Sequence, residues 1–146
     1  MFNRYNVIRS GIAGLYLGAA LGLGNCGIVP VGAANCPNDA VPSGSIVYQG
    51  PFTAANGGTA SGAAEVYNSG GNYTVRLDGV SFTPPNSQTT GLQVVGAGGS
   101  FTTSLNSLCG SQNYSAGTTL PSSSQIQIFS NINSVNYAQA ILTAVH

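Results

Sequence analysis

From Pro42 onward, apolar side chains recur at every second position rather than every third or fourth. Tyr73, Val75 and Leu77 alternate with Thr74, Arg76 and Asp78, and Ile126 and Ile128 alternate with Gln125 and Gln127. Successive side chains of an extended chain point to opposite faces, so this period collects the apolar set on one side of a strand. The same reading predicts strands over 45–52, 60–67, 92–95 and 135–142. The segments between them are turn material: Asn68-Ser69-Gly70-Gly71, Thr83-Pro84-Pro85-Asn86, Gly96-Ala97-Gly98-Gly99 and Leu120-Pro121-Ser122-Ser123. Asn68 to Gly71 lies between two strand patterns and reads as a hairpin. No helical period and no internal repeat appears in this part of the chain. The expected fold is all-β, a single antiparallel β-sandwich or small barrel of about six to eight strands. Tyr48, Phe52, Tyr67, Tyr73, Phe82, Phe101, Tyr114, Phe129 and Tyr137 are spread through it as core and rim residues.

Charge is the second constraint. Charged residues make up 4% of the chain, against a norm of about 25%. Past Asp39 the formally charged side chains are Glu65, Arg76 and Asp78. One arginine cannot displace counterions from a row of phosphates, so nucleic acid is excluded as a partner. Acid–base catalysis usually needs two or more titratable groups in one pocket, and no G-x-S-x-G elbow accompanies the single histidine, His146. We therefore expect no enzyme activity. Calcium takes six to eight oxygens, usually from several carboxylates, and no CxxC pair or histidine cluster suits zinc, so neither metal nor cofactor is expected. Gly96 to Gly99 lacks the Lys and Ser/Thr of a phosphate loop and reads as a turn. Glu65 and Arg76, on neighbouring predicted strands, read as a cross-strand ion pair that contributes little if exposed. With 42% hydrophobic residues the chain does not have the profile of disorder. A surface with so little like-charge repulsion favours self-association.

The first forty residues follow another logic. Residues 1–9 are short and basic, with Arg4 and Arg9, and 11–24 are uncharged and apolar. This is the pattern of an export signal, or of an uncleaved anchor. Residues 1–35 are read as that signal or anchor and 36–146 as the β domain. Leu23-Gly24-Asn25-Cys26 is similar to a lipobox, which makes Cys26 a candidate lipidation site; ordinary cleavage near Gly32-Ala33-Ala34 is the alternative. Membrane contact is expected only through this segment or a lipid.

Cys26, Cys36 and Cys109 are an odd number for an exported protein. Lipidation of Cys26, or cleavage after Ala34, leaves Cys36 to pair with Cys109 in a structural disulfide. A Cys26–Cys36 bridge is the alternative. Two glycosylation sequons occur, Asn72-Tyr73-Thr74 and Asn113-Tyr114-Ser115.

Several landmarks occur in a familiar order: Gly50-Pro51-Phe52, the run Ala60-Ser61-Gly62-Ala63-Ala64-Glu65-Val66-Tyr67, then Tyr73-Thr74-Val75-Arg76-Leu77. Later come the G-x-Q-x-Y stretch over Gly110, Gln112 and Tyr114, the strand Ile126-Gln127-Ile128-Phe129, and the closing Val135-Asn136-Tyr137-Ala138-Gln139-Ala140-Ile141-Leu142. This order, over about residues 49–142, resembles the DM-thirteen family of extracytoplasmic β domains found beside DOMON domains. The resemblance implies a small exported β domain. For that family an electron-transfer role has been proposed, through a cysteine that follows an aromatic residue in the penultimate strand. The matching position here is Ser130, after Phe129, and a serine hydroxyl has no accessible redox couple and is a poor ligand for soft metals.

The expectation is an exported, extracytoplasmic, non-catalytic module in the periplasm, at the cell surface or secreted, which binds a protein or glycan partner at the envelope. The alternatives are a self-assembling subunit of a filament or surface layer, in which residues 36–44 add a strand to a neighbour, and an electron-transfer module.

Overall fold

The computed structural model describes residues 35–146. The signal or anchor, the Cys26 lipidation site and the cleavage site near Ala34 lie outside the described residues. The architecture is all-β. Its strands are β1 (Ser45–Ala54), β2 (Thr59–Ser69), β3 (Asn72–Thr83), β4 (Leu92–Gly96), β5 (Phe101–Ser104), β6 (Cys109–Gly117), β7 (Gln125–Ser130), β8 (Val135–Ile141) and the two-residue β9 (Thr143–Ala144). All pair antiparallel along one path, β5-β4-β7-β8-β1-β2-β3-β6, with β9 alongside β1. The sheet curls into a nearly closed barrel whose two end strands, β5 and β6, are consecutive in the chain.

The alternation expected from the sequence fills the interior. Val66, Val75, Leu77, Val94, Ile126 and Ile128 are completely enclosed, with Phe52, Phe82, Phe101, Tyr114 and Tyr137 packed around them. Of the aromatics read as core or rim, Tyr48 and Tyr73 are the partly buried ones that pack against this cluster. The predicted hairpin is present. Ser69 pairs with Asn72 across Gly70 and Gly71, both with positive φ, as a two-residue turn of that twist requires. The segment over Thr83–Asn86 leads into a 3-10 turn, Pro85–Ser87. β5, β6 and β9 were not predicted as strands. β5 and β9 are too short for an alternation to register, and β6 carries polar residues on both faces.

β1 holds the two halves of the sheet together. Its first part, through Pro51, pairs with β2, and Phe52–Ala54 pairs with β8. At the changeover the chain passes so close to β8 that a Cβ on Gly50 would stand 1.9 Å from the Ile141 carbonyl oxygen. Glycine is therefore required there by backbone contact.

The closing seam is made by side chains. Buried Gln112 donates from Nε2 to the Ser107 and Cys109 carbonyls, and its Oε1 accepts from the Ser107 N–H and the Tyr114 hydroxyl. The Tyr114 oxygen in turn accepts from the Asn106 N–H. The Gln and Tyr of the G-x-Q-x-Y stretch thus fasten the β5–β6 connection onto the barrel.

Substituting Gly50→Ala should lower the unfolding free energy by about 3 kcal/mol, since an enclosed clash must be relieved by moving backbone. Denaturant titration of the variant against the wild type measures this; a change under about 0.5 kcal/mol would contradict the close packing of β1 on β8.

Candidate functional site: a buried arginine under an N-terminal strap

Arg76 sits in β3 between Val75 and Leu77, which face the core. Strand alternation points it outward, where an arginine is normally solvated. It is nevertheless 4% exposed, because residues 36–40 lie across this face as a strap. Cys36 is bonded to Cys109 with their Cα atoms 5.1 Å apart. Asn38 forms a parallel bridge to Ser111, in which the Ser111 N–H donates to the Pro37 carbonyl at 2.7 Å and the Asp39 N–H to the Ser111 carbonyl at 3.0 Å.

The guanidinium fastens the strap from beneath. Its Nη1 donates to the Asp39 carbonyl at 2.8 Å, the Ala40 carbonyl at 3.2 Å and Asn113 Oδ1 at 3.1 Å. Nε and Nη2 both reach Asp78 Oδ1, at 3.1 and 2.9 Å. Glu65 pairs with Arg76 in the β2–β3 register, as the sequence suggested, but its Oε2 stands 3.8 Å from Nε. Asp78 is the closer partner. Tyr67 donates its hydroxyl to Glu65 Oε2 at 3.0 Å, and the Ser111 hydroxyl donates to Asp78 Oδ1 at 3.1 Å.

β6 meets the strap with one face. Cys109, Ser111 and Asn113 are two residues apart, so they project on the same side. The Asn113 amide nitrogen donates to the Ala40 carbonyl at 2.7 Å, and its backbone N–H donates to Asp39 Oδ2 at 2.8 Å. At Gly110, whose φ is +88°, a Cβ would stand 2.1 Å from the Pro37 carbonyl oxygen. The strap therefore satisfies part of an edge strand that would otherwise offer open backbone groups. Asp39, Glu65, Arg76 and Asp78, the formally charged side chains in this part of the sequence, all belong to this one cluster. The ion pair read from the sequence is thus part of a larger clamp in which Arg76 is buried while Asp39 and Asp78 keep contact with solvent.

The other positions singled out in the sequence are dispersed. Asn72 is exposed at the β2–β3 hairpin, whereas both polar atoms of the Asn113 amide are committed to the clamp. A glycan on Asn113 would displace the Ala40 contact. Ser130 is fully buried in β7 and accepts from Gln88 Nε2 at 2.6 Å; Gln88 Oε1 accepts from the Tyr137 hydroxyl. His146 lies in the exposed C-terminal segment. Among the described residues no three His, Cys, Asp or Glu side chains are grouped to hold a metal ion. A shallow hollow of about 310 Å³ lies where β1 changes partners, lined by Gln49, Gly50, Pro51, Ala63, Ile141 and Thr143. None of these six is titratable. The sequence reading of residues 36–44 is a strand added to a neighbour; the structure lays residues 36–40 on the chain's own β6, and the signal for that is Asp39 three residues after a cysteine, with Cys109, Ser111 and Asn113 alternating along one later segment.

No protein-family model, curated protein or solved structure matches the chain.

Replacing Arg76 with methionine should cost about 2–4 kcal/mol, because carbonyls and carboxylates arranged around a cation lose it. The lower end is set by Asp78, whose side chain is 47% exposed and can rehydrate. Chemical denaturation reads the loss, and amide exchange at Asp39 and Ser111 should accelerate with it.

Two tyrosines give a pH dependence. Burial raises the pKa of Tyr67, helped by its hydrogen bond to Glu65, and burial likewise raises that of Tyr114. The folded state then holds these phenolic protons more tightly than the unfolded state, whose value is about 10. Their contribution is complete below that pH and is lost as pH rises through the higher folded values. Stability should fall above pH ~10, and Tyr67→Phe should flatten part of that fall in a thermal melt series.

Proposed function

We propose that this chain is an exported, non-catalytic β module that acts by binding a protein or glycan partner at the cell envelope. The observation that carries the reading is the commitment of its charged side chains to one structural clamp. Beside and beyond the clamp, the strands present hydroxyl groups such as Thr53, Ser81, Thr102 and Ser115, all exposed. Such a face recognises partners through neutral hydrogen bonds and shape. The Cys36–Cys109 disulfide is compatible with an oxidising, extracytoplasmic compartment. The resemblance to the DM-thirteen family agrees with that compartment. The electron-transfer role proposed for the family gains no support from Ser130, which supplies neither a redox couple nor a soft ligand.

A second reading is a self-assembling structural subunit. It is favoured by the low charge of the chain, whose formally charged side chains beyond residue 35 are Asp39, Glu65, Arg76 and Asp78, leaving little like-charge repulsion between copies.

Binding through neutral groups has a measurable signature. Retention of the purified protein on isolated cell envelopes should change less than about twofold between low and high salt, because exposed charge pairs are what salt screens. Steep loss of retention with salt, or no retention at all, would contradict the binding reading.

A further inference from the structure

β4, β7 and β8 lie inside the sheet path, each with a paired strand on both sides. On β7, Phe129 stands between Ile128 and Ser130, both fully buried. Alternation therefore turns the Phe129 ring to the outside, where it is partly exposed. Its register partners are Gln93 on β4 and Asn136 on β8, and directly paired residues share a face at about 5 Å. Two residues back along β7, about 7 Å away, Gln127 points the same way and pairs with Gln139 on β8. An outward aromatic ring is thus bordered by four amide side chains.

The protein leaves much of their hydrogen-bonding capacity unused. Gln125 Nε2 and Asn136 Nδ2 both donate to Gln139 Oε1, at 3.3 and 3.2 Å. The Gln139 Nε2 group has no acceptor among the described residues, and the amides of Gln93 and Gln127 have no partner there. Asn136 Oδ1 is buried without a donor, which is unfavourable until one is supplied. No formally charged side chain stands on β4, β7 or β8.

We propose that this face, centred on Phe129, binds a neutral polysaccharide. The proposal rests on the binding reading above and narrows its partner to a glycan. A sugar ring offers a plane of C–H groups to the negative face of an aromatic ring. Its rim carries hydroxyls, each a donor and an acceptor. Amides likewise carry both functions, so Gln93, Gln127 and Gln139 can serve hydroxyls in either sense. Rotation of the Asn136 amide toward Phe129, its register partner, gives Oδ1 the donor it lacks. The charge-free face matches an uncharged ligand and offers no cation to a polyanion. A protein strand finds no vacancy here, because the backbone groups of interior strands are already paired and strand addition needs an edge.

The test incubates the full chain, isolated from an exporting host, with powdered cellulose, chitin and mannan and measures the bound fraction. Retention on at least one of them is expected, changing less than about twofold between low and high salt. Retention on none would overturn the proposal. Phe129→Ala should weaken that binding by about tenfold or more, as truncation of a central aromatic anchor does, whereas Phe129→Tyr should keep it. A folded Phe129→Ala protein that binds like the wild type would overturn the proposal. Gln93→Ala combined with Gln127→Ala removes no internal hydrogen bond and should weaken binding by about fivefold; undiminished binding by that pair would also overturn it. Isolated cell envelopes separate this claim from the broader one. Envelope retention that is unaffected by Phe129→Ala, or that is lost once the envelopes are digested with protease, would overturn the glycan assignment and leave the binding reading standing. Absence of envelope retention would overturn both.

Discussion

A guanidinium on the outer face of a β-sheet, removed from water, must be given hydrogen-bond acceptors by the chain around it. Arg76 imposes that condition here, and the strap answers it. Two backbone carbonyls of the strap, one carboxylate oxygen of Asp78 and the Asn113 amide oxygen accept from it. A hydrophobic core explains why the barrel forms. It does not explain why residues 36–40 lie where they do. The buried cation does.

The disulfide and the clamp then divide one task. In the chain-entropy view, a bridge over a separation of 73 residues narrows the unfolded ensemble by about 4 kcal/mol. The clamp sets the strap's position and register on β6. Together they cover one end of a sheet path that would otherwise finish in an unpaired edge. At the same end, Gln112 and Tyr114 close the barrel from inside. The two faces of β6 thus have separate duties, with Cys109, Ser111 and Asn113 outward on the strap and Gln112 and Tyr114 inward on the seam.

The barrel was legible because burial on one face writes itself into the sequence with period two. Val75, Leu77, Ile126 and Ile128 announced their strands, and Asn68-Ser69-Gly70-Gly71 announced its turn. β6 was opaque for the opposite reason. Its inward positions include a glutamine satisfied by the Ser107 and Cys109 backbone just before it and by the Tyr114 hydroxyl, and its outward positions face the strap. Alternation cannot report polar residues on both sides. The Cys36–Cys109 pairing followed from cysteine arithmetic with one alternative open, and the structure realises it. Glu65 opposite Arg76 was legible as register. The burial of the pair was not, because it depends on a segment some forty residues earlier whose docking leaves no periodic trace. Ser130 was noticed through a resemblance; its hydrogen bond to Gln88 could be seen only once the Pro84–Gln88 connection was placed over it.

The account's central claim is that the disulfide and Arg76 act through the same strap, and a double-mutant cycle tests it most directly. Unfolding free energies are measured for the wild type, Arg76→Met, the pair Cys36→Ser with Cys109→Ser, and all three substitutions together. If both devices hold one element, losing the second costs less once the first is gone, and the cycle closes with an interaction energy of about 1 kcal/mol or more. Additive losses, agreeing within about 0.3 kcal/mol, would show that the arginine stabilises the barrel independently of the strap and would contradict the account.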